Sequence, residues 1–146
     1  MNIIATDSWK VKETKMINTL NEKVFNNDKI QKTSDEYSKV DCYNEVYALE
    51  LKFRNMPSTQ YNDCFLEKAK YDAVMERAVS KNKTAGYIAA FTDGSYYAWN
   101  LTKLTEEGYE FGWKPIPMKM TTHFAINDPI LKLSCKLPLS KGVKLI

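Results

Sequence analysis

The chain has 146 residues, 44% of them hydrophobic and 27% charged, with a net charge of +3 at neutral pH. That length suits a single domain, 1–146, able to bury a core unaided, and the balance is that of a folded globule rather than a disordered or membrane-spanning chain. Three scattered cysteines, a single histidine and five glycines build no CxxC pair, two-histidine motif or glycine-rich phosphate loop, so any catalysis falls to carboxylates and lysines.

No apolar run approaches the ~20 residues of a membrane span, and the opening "MNIIATDSWK" lacks the pattern of a secretory signal. With an odd number of widely spaced cysteines, the expected compartment is the cytoplasm. Trp9, Glu13, Met16, Ile17, Leu20 and Val24 recur at helical spacing and predict an amphipathic helix over 8–25, capped by Asp7 or Ser8. The polar stretch "NNDKIQKTSDE" reads as a loop, and "YSKVD" (37–41) as a short strand.

"YNEVYALELKFRN" (43–55) is a strand from about 46 to 53 with Glu50 and Lys52 lodged in it. Residues two apart share a face of a strand, ~7 Å from one another, so these two project together while Tyr47, Leu49, Leu51 and Phe53 occupy the other face. If the chain turns at Asn44-Glu45, Asp41 falls opposite Ala48, on the face of Glu50. Pro57 then breaks the pattern, and Asp63 is placed to cap a second helix over about 64–80. "GYIAAF" and "YYAWNL" flank "TDGS" as a hairpin, in which Tyr96, Tyr97 and Trp99 read as strand core. The last forty residues carry four prolines and short strands, "ILKLSCKL" among them, and His123 reads as a surface or interfacial residue. Helix, strands, helix, strands argue an α/β or α+β fold with a mixed sheet.

Glu13 stands at the centre of the first helix's apolar stripe, with Trp9 and Ile17 about 40° to either side. A carboxylate so placed needs a partner, either a metal or a lysine. Aspartate and glutamate oxygens suit Mg²⁺, which keeps several waters and bridges to phosphates, and a neighbouring lysine can orient an attacking water. Phosphodiester hydrolysis needs these parts and no histidine. Beyond Trp113 there are six lysines against one acid, Asp128, a bias that suits a polyanionic partner. Lys114, Lys119, Lys132 and Lys136 are the candidate nucleic-acid contacts.

The arrangement Asp41-CYNEVYAL-Glu50-L-Lys52 resembles the signature of the PD-(D/E)XK nuclease superfamily, the restriction-endonuclease-like fold that includes Holliday-junction resolvases and phage-type nucleases. The resemblance implies a core order α-β-β-β-α-β over about 8–101, with 102–146 as a basic C-terminal elaboration. It implies Asp41, Glu50 and Glu13 as metal ligands, Asp41, Glu50 and Lys52 as the catalytic set, and Mg²⁺ as cofactor, with Mn²⁺ able to substitute. Val40 stands where the family has proline. "FLEKAKYDAVMERA" resembles the helix after the catalytic strand in phage-encoded members; Lys70, about 40° from Leu66 and Val74, is its candidate catalytic lysine. The implied activity is a metal-dependent nuclease acting on DNA, with a homodimer as a plausible assembly. Two alternatives stay open: a catalytically inactive nuclease-like fold that binds nucleic acid or protein, and an unrelated α+β binding module whose ExK is accidental.

Overall fold

The computed structural model describes residues 5–33, 40–118 and 130–146, with the side chains of 5–9, 118 and 130 left aside. Its elements run α1 (Ala5–Lys23), β1 (Gln31–Lys32), β2 (Cys42–Tyr43), β3 (Tyr47–Arg54), β4 (Asp63–Glu67), α2 (Lys68–Lys81), β5 (Thr84–Phe91), β6 (Tyr96–Asn100), α3 (Leu101–Glu106), β7 (Lys114–Met118), β8 (Ile130–Pro138) and β9 (Val143–Lys144). The main sheet is ordered β1-β2-β3-β5-β6-β9, and a smaller sheet β4-β8-β7. β3 and β5 pair in parallel and every other pair is antiparallel, so the main sheet is mixed. The expected order of helix, three strands, helix and strand is present, with β4 added before α2. Among the described residues no helix is long and apolar enough to cross a membrane.

Strand alternation sorts the core into two layers. Leu49 and Leu51 of β3 and Ile88 and Ala90 of β5 meet Met16 and Leu20 of α1 on one face. Ala48, Ala85, Tyr87 and Ala89 meet Val74 and Ala78 of α2, with Leu66 of β4 and Cys135 and Leu137 of β8, on the other. β3 is central and covered on both faces, so its alternation separates two interiors rather than an inside from an outside. β7 closes the small sheet as an edge strand, where Pro115 and Pro117 carry no N–H to leave exposed.

Three boundary expectations need correction. α1 begins at Ala5, so Asp7 and Ser8 lie inside the helix and not at its N-cap position. Asp63 opens β4 instead of capping a helix: 63–67 pair with β8, and α2 starts at Lys68 behind an N-cap Glu67 that makes no side-chain cap bond. The alternation of Cys64 and Leu66 as buried positions fits a strand, a period hidden by the helix-forming residues that follow. The register of β2 also differs. Cys42 faces Leu49 and Tyr43 faces Ala48, which sets Asp41 across from Glu50 and not from Ala48. Residues 37–39 of "YSKVD", together with Lys119 and His123, lie outside the described residues.

The chain end returns to the main sheet through a close approach. A Cβ on Gly142 would stand 2.9 Å from the Trp99 ring and 3.1 Å from the Ala98 carbonyl oxygen. Trp99 cannot yield easily, because its indole N–H donates to the Pro138 carbonyl at 2.9 Å. Gly142→Ala is therefore expected to cost about 1–3 kcal/mol, seen as a fall in Tm of roughly 2–4 °C per kcal/mol. An unchanged Tm would show that β9 packs more loosely than described.

Candidate active site

On β3, Glu50, Lys52 and Arg54 follow one another along the face that looks toward α2 and the small sheet, as the burial of Ala48 on that face requires. The β2 register extends one residue to bring Asp41 beside Glu50. Asp41 completes the ladder with its side chain: the Leu51 N–H donates to Asp41 Oδ2 at 2.8 Å. Asp41 is thus held from both sides, since its own carbonyl accepts from the Thr33 N–H at 3.0 Å. The two-residue slip from the expected register preserves the face, because the side-chain period is two. The two carboxyls come together as the alternation predicts.

Glu50 is only 5% exposed, and its Oε1 is buried with no hydrogen-bond partner among the described residues. Burial, then the charge of Asp41, pushes its carboxyl up to about 9; Lys70 and Lys52 pull the other way, and a direct side-chain interaction with Asp41 favours the protonated form. Lys52 is lowered below its ordinary value by burial first and the Arg54 charge second, with Glu67 and Glu50 opposing. Lys70, three residues into α2, acts on both Glu50 and Lys52, so the first turn of α2 brings its ammonium to the site.

Glu13 is buried on the α1 side of the sheet, and Lys32 Nζ lies 3.4 Å from its Oε1. Burial raises its carboxyl, Asp41 adds to that, and Lys32 opposes both. The structure therefore brings Glu13 within the electrostatic reach of Asp41 while giving it a lysine as its immediate partner. Among the described residues no group of three or more His, Cys, Asp or Glu side chains converges as a ready metal cage. What fits a hard cation is narrower: two adjacent carboxyls, one with a buried oxygen lacking any partner.

The basic candidates share a surface. Lys132 and Lys136 alternate with Ser134 on β8, and Lys114 of β7 faces Ser134, so all three project from one face of the small sheet. Glu67, opposite Ser134 on β4, belongs to the same face; Lys132 Nζ lies 2.9 Å from its Oε1, and Lys136 Nζ sits 5.7 Å from the Phe65 ring centroid. Because the Glu67 charge also acts on Lys52, this basic face borders the carboxylate site.

Two participants escaped the sequence reading. Arg54 donates to the Phe65 carbonyl, to the Tyr87 hydroxyl at 3.0 Å and to Cys64 Sγ at 3.2 Å, tying β3 to β4 beside Lys52. Continuing the alternation of Glu50 and Lys52 by one step would have found it. Glu67 was hidden by the assignment of its strand to a helix.

The raised Glu50 carboxyl sets a pH dependence of stability in metal-free protein. Between an ordinary carboxylate value and about 9, the folded chain holds a proton that the unfolded chain releases. The Glu50 contribution is therefore full at acid pH and is lost as pH rises toward 9. Glu50→Gln, which stays neutral in the same shape, should match wild type near pH 4 and melt progressively higher than it toward pH 9. A difference in Tm independent of pH would contradict the buried, protonated state.

No family model matches the chain, and no curated protein matches it in sequence. In three dimensions it is similar to a Holliday junction resolvase, Hjc, of the archaeal hyperthermophile Archaeoglobus fulgidus, with a TM-score of 0.56 over 92% of each chain at 11% sequence identity. That likeness shows the fold: a restriction-endonuclease-like mixed sheet flanked by helices.

Proposed function

We propose that this protein is a metal-dependent nuclease that hydrolyses phosphodiester bonds in DNA. The observation that carries this reading is the Asp41–Glu50 pair, with its unpartnered buried oxygen, set beside Lys52 and Lys70 in a resolvase-like fold. Asp41 and Glu50 would hold Mg²⁺, or Mn²⁺ in its place; Glu13, buried on the α1 side and paired with Lys32, would act on the site through its charge and not as a ligand. A cation bound there supplies Lewis-acid stabilisation of the phosphate and makes water easier to deprotonate. Lys52, on the same face as Glu50, orients the attacking water and offsets the negative charge that grows on the phosphate as the water oxygen bonds to phosphorus and the leaving oxygen departs. Lys70 adds a second positive charge from the α2 side. Lys114, Lys132 and Lys136 track the phosphate backbone up to the site. A four-way junction needs two cuts, so junction cleavage would call for a homodimer, working in the cytoplasm.

A second reading, a nuclease-like fold that only binds nucleic acid, is favoured by one observation: the lack of a ready metal cage among the described residues. Single-turnover cleavage of linear and four-way-junction DNA in Mg²⁺ or Mn²⁺ separates the two. Wild type should cut at least one substrate, Asp41→Ala and Glu50→Ala should abolish cutting, and Lys52→Ala should slow it by roughly 10²–10³, all with DNA affinity retained. Binding without cleavage by wild type would establish the second reading, and Lys52→Ala cutting at the wild-type rate would remove Lys52 from the mechanism.

The basic face makes a separate forecast. Replacing Lys114, Lys132 and Lys136 together by glutamine should weaken binding to all DNA sequences alike, and should flatten the logarithmic salt dependence by about 0.9 for each phosphate no longer neutralised. An unchanged affinity and slope would reduce these lysines to a solvated surface.

A further inference from the structure

The ladder of the main sheet aligns more than two carboxylates. β1 and β2 pair with Lys32 opposite Cys42, and the Thr33 N–H to Asp41 carbonyl bond carries that pairing one residue further. Thr33 thus lies directly across from Asp41, as Asp41 lies across from Glu50. Directly opposed residues share a face. Their neighbours confirm the phase: Lys32 reaches Glu13 and Cys42 packs against α1 residues, so Thr33 and Asp41 face the other way, with Glu50. Thr33, Asp41 and Glu50 form one row over three strands.

Two buried side-chain polar atoms among the described residues have no hydrogen-bond partner: Thr33 Oγ1 and Glu50 Oε1. They stand at the two ends of this row, on either side of Asp41. Each unpartnered buried group costs free energy that an apolar side chain would avoid, and these two lie in one short row. At a strand spacing of ~4.8 Å, Thr33 and Glu50 are separated by roughly 10 Å. That is too wide for one ion to touch both ends, and suits an ion on the carboxylate side with water reaching the hydroxyl.

We propose that Thr33 is a positioning residue of the cation site, its hydroxyl hydrogen-bonding water in the hydration shell of a divalent cation held by Asp41 and Glu50. The proposal rests on the cation-binding reading of that pair given above. Thr33 adds no charge and no direct ligand. It fixes the orientation of the hydration shell, a contribution of the kind whose loss weakens metal affinity about 10–100-fold.

The test is Mn²⁺ binding by calorimetry to the whole chain without DNA, comparing wild type with Thr33→Val, which keeps the shape and removes the hydroxyl, and Thr33→Ser, which keeps the hydroxyl. Thr33→Val should bind Mn²⁺ at least about tenfold more weakly, with its metal-free Tm unchanged or raised, and Thr33→Ser should bind as wild type does. Thr33→Ala serves as a second hydroxyl-free variant if valine fails to fold. Wild-type affinity in the hydroxyl-free variants, or a loss in Thr33→Ser equal to theirs, overturns the role of Thr33 while leaving the Asp41–Glu50 site intact. No Mn²⁺ uptake by wild type overturns both.

Discussion

A carboxylate buried in the middle of a central strand, beside a second carboxylate, is the constraint around which this structure is arranged. Glu50 has β2 on one side and β5 on the other, α2 above it and almost no solvent. An apolar residue there would stabilise the sheet better, since burying an unpaired ionised group costs several kcal/mol. The chain relieves the cost without removing it. Glu50 stays protonated, Asp41 is tied to the Leu51 amide, and Lys52 and Lys70 bring positive charge close. Such a local conflict between stability and composition is the kind expected at a functional site.

The surrounding elements follow from holding those groups in place. β2 is only two residues long, yet the Asp41 side chain extends its ladder onto β3. Arg54 anchors β4 across the top of β3, and β4 leads directly into α2, so the anchor that places Glu67 also places Lys70. The small sheet then carries Lys132 to Glu67 and aligns the lysine face with the site. At β2, β3 and β4 backbone pairing and charge placement are one device: pairing sets Asp41 beside Glu50 and brings Glu67 within electrostatic reach of Lys52.

Much of this was legible in the residues because strand alternation has a period that survives errors of register. Asp41 was expected opposite Ala48 and lies opposite Glu50, yet its face is unchanged by a slip of two. The hairpin about Asp93-Gly94 was likewise written in its turn residues, with Gly94 at φ 83°. Harder to read were β4, where a five-residue strand runs into a helix with no cap between them, and the partner of Glu13, because helical periodicity shows which face is buried but not which strand meets it. Thr33 carried no signal at all: a threonine in a polar stretch becomes informative only when its neighbour across the ladder is known.

The most direct test of the account is a crystal structure of the chain with Mn²⁺, read by anomalous scattering. The account predicts a peak beside Asp41 and Glu50 Oε1, with both carboxylates turned toward it and the interaction between them broken. An empty pair under saturating Mn²⁺, or a peak bound elsewhere while Asp41 and Glu50 stay paired with each other, would contradict it.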